Sequence, residues 1–255
     1  MDKTKNLIAV IVGLIIAVAG VILGVNNYVE KGNTTYAYCL LLAIIGLLIL
    51  IVGIYNLVGK HDSRPVDAKV LAQAALCAAL CYIGATFIKI QIPVPGTEGT
   101  MFHLGNTFCV LAALLIGGLW GGLAGAVGMT ISDLTTQYVT SAPKTFVLKL
   151  CIGLIVGLVA HKIFKLSKDI PAKRVVAGTI VASVCGMAFN VIADPLVGYF
   201  YKQYLFGVPQ DMAKALAKIG TVTTSVNAVI AVIVASIIYL ALRPVMKKSQ
   251  MLREM

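Results

Sequence analysis

The sequence predicts an all-α integral membrane protein, and three observations carry that class. The 255 residues are 59% hydrophobic and only 12% charged, with a mean hydropathy of +0.94. A soluble domain is about half apolar and a quarter charged, so this chain has too little polar surface to face water on all sides. Its apolar residues gather into runs of the length, about 20 residues, that carries a helix across a bilayer. Its charges sit in short clusters between those runs, as topology signals do. The formal net charge of +11 is therefore not a phosphate-binding face, and a nucleic-acid partner is excluded.

Taken in order, the spans are Leu7–Val25, Ala37–Val58, Val66–Ile88, a stretch from His103 to Tyr138, then Thr145–Phe164, Val175–Phe200 and Gly220–Leu242. The first is too long for the apolar segment of a signal peptide, and Val25-Asn26-Asn27-Tyr28 is not a small-residue cleavage site, so it reads as a retained helix. His103 to Tyr138 is too long for one crossing. Gly117-Gly118-Leu119-Trp120-Gly121-Gly122 supplies a turn within it, giving about eight transmembrane helices.

With the N-terminus inside, the cytoplasmic segments hold fourteen Lys and Arg and the outer ones six. The positive-inside rule therefore places both termini in the cytoplasm. The chain divides at its charged segment near residue 60, into a two-helix extension (1–60) and a six-helix core (61–255) that holds almost all the intramembrane polar groups.

Several chemistries have no residues to support them. There is no phosphate loop for ATP hydrolysis, no His-Glu-x-x-His metal motif and no Gly-x-Ser-x-Gly elbow. The six cysteines all fall in apolar runs, and Cys77 and Cys81 lie one helical turn apart. They read as small buried residues. No enzyme activity, metal or cofactor is expected.

Polar groups inside a membrane are costly, so each is a candidate for function. Asp133 and Lys149 lie about 6–8 Å below the outer ends of consecutive antiparallel helices, within pairing reach. Asn190 and Asp194 approach the outer end of the next helix, Asn227 lies about 10 Å below the outer start of the last, and His103 and Asn106 open the fourth. A polar cluster confined to the outer half describes a pocket open to the outside. Each member also has a plainer reading: an Asp133–Lys149 structural pair, or Asn190 and Asn227 as hydrogen-bonded glue between helices. The outer connection Lys89–Phe102, stiffened by Pro93 and Pro95 and hinged by Gly96 and Gly99, suits a cover over such a pocket, and equally a plain connector. Ala74-x3-Ala78 and Ala75-x3-Ala79 give the third helix smooth stripes for packing or for a partner.

The segment from Ala74 to Lys165 resembles a known family. The residues are Phe102-His103-Leu104-Gly105-Asn106, Leu111-Ala112-Ala113-Leu114-Leu115-Ile116-Gly117-Gly118, Gly125-Ala126-Val127-Gly128 with Ser132-Asp133-Leu134, and Ala142-Pro143-Lys144-Thr145 with Lys149 and Gly153. They are similar to the substrate-binding S components of energy-coupling factor (ECF) vitamin transporters, in the branch for riboflavin, hydroxymethylpyrimidine or pyridoxine-type substrates. Asn106 stands where many relatives carry Asp, and the first two helices are additional to the family's six.

The resemblance implies a six-helix S-component core, with an outward-facing vitamin site formed by His103, Asn106, Asp133, Lys149, Asn190, Asp194 and Asn227 beneath the loop after the first core helix. It implies partners as well: a transmembrane T subunit, contacted through Ala74/Ala78 or Ala75/Ala79, and two ATPase subunits that drive uptake across the plasma membrane. Two rival expectations stand beside it. One is a self-standing ion-coupled transporter with Asp133 and Asp194 as coupling carboxylates. The other is a membrane scaffold in which the polar cluster is structural.

Overall fold

Three helices of the core start at proline, which sets where the chain can enter the membrane. A computed structural model describes residues 3–28, eight positions between 39 and 53, and residues 68–94 and 99–249. These divide into two units, residues 1–67 and 68–255.

In the first unit, α1 (Lys3–Tyr28) presents Gly13, Ala17 and Gly20 to the helical residues Ala43, Gly46 and Leu50. A Cβ added at Gly13, Gly20 or Gly46 would run into the facing backbone. Rising numbers on one side meet falling numbers on the other, so the two run antiparallel. The expected span Ala37–Val58 and the charged segment after it lie largely outside the described residues.

The second unit contains α2 (Ala68–Thr86), α3 (Gly105–Ile116), α4 (Gly118–Leu134), α5 (Ala142–Gly157), α6 (Ala172–Phe200) and α7 (Gln210–Lys248). A 3-10 turn at Val139–Ser141 leads into α5, and π turns at Leu158–Ile163 and Tyr201–Leu205 follow α5 and α6. Pro143 sits in the first turn of α5, while Pro171 and Pro209 cap α6 and α7. Proline suits those positions because its fixed φ is already helical and the first N–H groups have no partner to lose.

Among the described residues, five helical segments are long and apolar enough to cross a membrane: Thr4–Gly24, Ala68–Thr86, Val139–Ile163, Ala172–Leu205 and Gln210–Lys248. The shorter apolar α3 and α4 lie between them. Side chains such as Leu76, Ile192, Leu196, Val229 and Ile237 stay exposed, as lipid-facing residues should.

Four features differ from the sequence expectation. The long stretch does break, but at Gly117 alone (φ 88°, ψ 171°), a conformation that is essentially glycine-only; Trp120, Gly121 and Gly122 are already helical. His103 does not open a helix. The outer connection forms an antiparallel hairpin, β1 (Lys89–Ile92) with β2 (Thr100–His103), pairing Lys89 with His103 and Ile92 with Thr100. The last helix starts at Gln210, ten residues before Gly220, because Met212 to Leu216 keep good helix formers under their charges.

The core surrounds α3, whose residues are all buried except Phe108. Leu114, Ile116, Ile152, Val156, Leu166 and Met187 form its centre. At the α4–α5 crossing, Gly118 and Gly122 meet Gly153 and Gly157 so closely that a Cβ at Gly153 would overlap Gly122. The opposite end is locked by polar ties: His161 Nε2 meets the Ala113 carbonyl at 3.1 Å, and the Arg243 guanidinium donates to the carbonyls of Leu166 and Lys168.

Candidate functional site

All seven candidate residues line one cavity at the hairpin end of the second unit. They come from six elements: His103 from β2, Asn106 from α3, Asp133 from α4, Lys149 from α5, Asn190 and Asp194 from α6, and Asn227 from α7. The cavity has a volume of about 150 Å³, smaller than the roughly 300–1,000 Å³ of pockets that hold drug-sized ligands.

Its floor is polar and buried. Lys149 is 6% exposed, Asp133 5%, Asn106 2% and Asn190 0%. The Lys149 Nζ donates to Asn190 Oδ1 at 3.3 Å. The Asp133 carboxylate accepts from Thr145 Oγ1 at 2.5 Å.

A close ion pair of the site is Lys144–Asp194, 2.7 Å apart, with Thr224 Oγ1 donating to the second Asp194 oxygen at 3.1 Å. Depth along each helix put Asp133 and Lys149 level. The sites also differ in rotation about the helix axis, which depth does not report: Lys149 turns toward α6 and Asp133 toward the start of α5.

Lys144 is a wall residue of the cavity that was not among the candidate site residues. Its signal was the Ala142-Pro143-Lys144-Thr145 turn, where Pro143 fixes the first helical turn and aims Lys144 inward. Thr145, Tyr138, Met101, Met129 and Thr224 line the same space. In α6, Pro195 interrupts the backbone ladder at the cavity wall and the π turn at Tyr201–Leu205 follows, so the outer end of this helix is shaped by irregular backbone.

The hairpin covers the cavity, with Val94, Gly99, Thr100, Met101 and His103 among the lining. Asn227 bonds β2 rather than the cavity: its Oδ1 accepts from the His103 N–H and its Nδ2 donates to the Met101 carbonyl, both at 3.1 Å. His103 Nδ1 accepts from the Gly105 N–H at 3.1 Å. Burial, helped by the nearby Lys149 ammonium, pushes the imidazole down to about 3.

The two alanine stripes on α2 separate. Ala74 is buried and Ala78 packs its carbonyl against Gly128, whereas Ala75 and Ala79 are exposed.

The second unit is thus a bundle of apolar helices with a polar-lined cavity at one end, the class of a multi-pass membrane protein. The family described as "ECF-type riboflavin transporter, S component" matches residues 66–244, and the chain belongs to that family. It is therefore a multi-pass membrane protein of a family described as a transporter component. A curated relative, "Uncharacterized protein in gap 3'region" of Pyrococcus woesei, is 36% identical over 75 residues, 29% of this chain and 49% of that protein. The chain spans about half the length of that relative. No solved structure gives a significant match.

Proposed function

We propose that the chain captures a small, water-soluble, riboflavin-type vitamin at the outer face of the plasma membrane. It then delivers the ligand inward as part of an ECF complex with a transmembrane T subunit and two ATPase subunits. ATP hydrolysis in those partners drives the cycle. The observation that carries this reading is Lys149: a buried ammonium on the cavity floor whose hydrogen-bond partner among the described residues is Asn190. An ammonium has three donors, so a ligand carbonyl or ring nitrogen gains a charge-assisted hydrogen bond there. Hydrogen bonds to charged groups contribute about 1.5–3 kcal/mol.

The exposed Ala75/Ala79 stripe, not Ala74/Ala78, is the smooth face that suits the T subunit. The two-helix extension at 1–60 is additional to the binding core. The ion-coupled alternative is less well supported, since Asp194 is already held by Lys144 and Thr224.

The test is mass spectrometry of small molecules that co-purify with the detergent-solubilised protein, followed by riboflavin titration. Wild type retains a vitamin, and Lys149→Met weakens it by about 10- to 100-fold. Equal affinity in the two proteins removes Lys149 from the site. A folded wild type that stays empty across a vitamin panel removes the function.

A further inference from the structure

We infer that the end of the second unit opposite the cavity is a docking surface for anionic phospholipid headgroups, built around Lys165 in the connection from α5 to α6. This surface is separate from the cavity and does not depend on what the cavity binds. Lys162, Lys165, Lys168, Lys173 and Arg174 follow one another along the connection, all exposed. The end of α7 adds Lys247 and Lys248, because two contacts hold it against the connection. The Arg243 guanidinium donates to the main-chain carbonyls of Leu166 and Lys168, and Lys247 pairs with Asp169. Among the described residues Asp169 is the acid of this end, and that pair engages it. Helix α6 starts here with Lys173 and Arg174 in its first turn, no acid there and no side-chain cap. The positive end of its dipole therefore adds to the field of the cations.

Lys165 sets this surface apart from an ordinary topology signal. Its φ is 58°, in the left-handed region that glycine enters freely and an L side chain enters at a cost. The main chain fixes that conformation: the Leu166 N–H reaches the Ala160 carbonyl and the Lys168 N–H the Lys165 carbonyl, both at 2.9 Å. Glycine would serve the turn best, so what the lysine adds is its ammonium. The surroundings specify a lipid and not a free anion. Ile163, Val176 and Val245 are 55%, 42% and 63% exposed; the first adjoins Lys162, and the others lie three residues from Lys173 and Lys248. Exposed apolar side chains interleaved with cations match a molecule that carries acyl chains beside a phosphate. Each such cation strengthens attraction to an anionic bilayer about fivefold.

The test titrates phosphatidylglycerol and phosphatidylcholine into the full-length, detergent-solubilised protein and reads bound lipid by native mass spectrometry. Wild type prefers phosphatidylglycerol by about 30-fold, and in Lys165→Gln/Lys168→Gln the two lipids bind within about threefold of each other. The ties from Arg243 go to main-chain carbonyls, so these substitutions leave them in place. Lys214→Gln/Lys218→Gln removes the same charge from exposed positions at the cavity end and keeps the preference. Lys165→Gly relieves the backbone, so it melts no lower than wild type, yet it weakens phosphatidylglycerol about fivefold; it decides the matter if the double variant misfolds. Equal losses in the two double variants report net charge alone and overturn the site. Inorganic phosphate that displaces the lipid at matching concentration overturns the lipid assignment in favour of a free anion. A wild type without preference between the two lipids also overturns it, and leaves an acidic protein segment as the occupant to seek.

Discussion

Among single residues, polarity within apolar runs was enough to find the cavity, and geometry was needed to assign roles. His103, Asn106, Asp133, Lys149, Asn190, Asp194 and Asn227 stand out because a lipid environment penalises each of them, and all seven line one space. Asn227 carries no sequence trace of its role, since its partners lie 124 and 126 residues away and are main-chain atoms.

Lys144 and Asp194 form a pair that is mostly shielded from water, so breaking it from one side leaves a poorly solvated charge. Lys144→Met is expected to cost about 3 kcal/mol or less, and adding Asp194→Asn to recover most of that loss. Thermal unfolding of the single and double variants checks both.

His103 gives a pH dependence of definite sign. Its folded value is about 3, against about 6.5 in an unfolded chain. Between those values the unfolded state binds the extra proton, so this contribution to stability is complete above about pH 6.5 and is lost as pH falls toward 3. His103→Gln flattens that acid limb in a pH series of unfolding midpoints.

The secondary-structure elements were legible where hydropathy alone sets them and illegible where local backbone chemistry does. The long helices follow from apolar length. The hairpin does not, because two four-residue strands carry too little alternation to distinguish them from a Pro- and Gly-rich connector. The early start of α7 was hidden because Asp211, Lys214 and Lys218 interrupt the apolar run without interrupting helix propensity.

Gly117 is the one residue of its glycine-rich stretch that breaks the helix. Gly117→Ala is expected to cost about 1–3 kcal/mol, because φ 88° with ψ 171° is closed to a side chain. At the α4–α5 crossing, Gly153→Ala overpacks backbone against backbone and lowers stability by about 1–3 kcal/mol or more. Melting in detergent, followed by circular dichroism, measures each loss.

For the molecule as a whole, the charge asymmetry predicts an orientation that the aromatic residues of the second unit allow to be tested. Tyr199, Phe200, Tyr201, Tyr204 and Phe206 cluster where α6 gives way to α7, with Phe200 stacked on Tyr204 and Tyr201 donating to the Thr140 carbonyl. Tyrosines of this kind sit at headgroup level. At the other end of α7 stand Arg243, Lys247 and Lys248, the end that the proposed topology places inside. A cysteine at Gln210 should react with an impermeant maleimide added to intact cells, and one at Ser249 only after permeabilisation. The reverse pattern would invert the topology and turn the cavity to the cytoplasm.

The shortness of α3 has an electrical consequence. Its 12 residues extend about 18 Å, against a hydrocarbon layer about 30 Å thick. On the proposed outward-facing topology, solvent entering the cavity above it carries the outer potential into the membrane. Most of the transmembrane voltage then falls across the inner half, where His161 and Arg243 make their ties to main-chain carbonyls. A charge on the cavity floor sits near the outer potential and experiences only a small part of the roughly 2.3 kcal/mol that 100 mV imposes on a full crossing. On that reading, binding at the cavity floor is nearly independent of the membrane voltage.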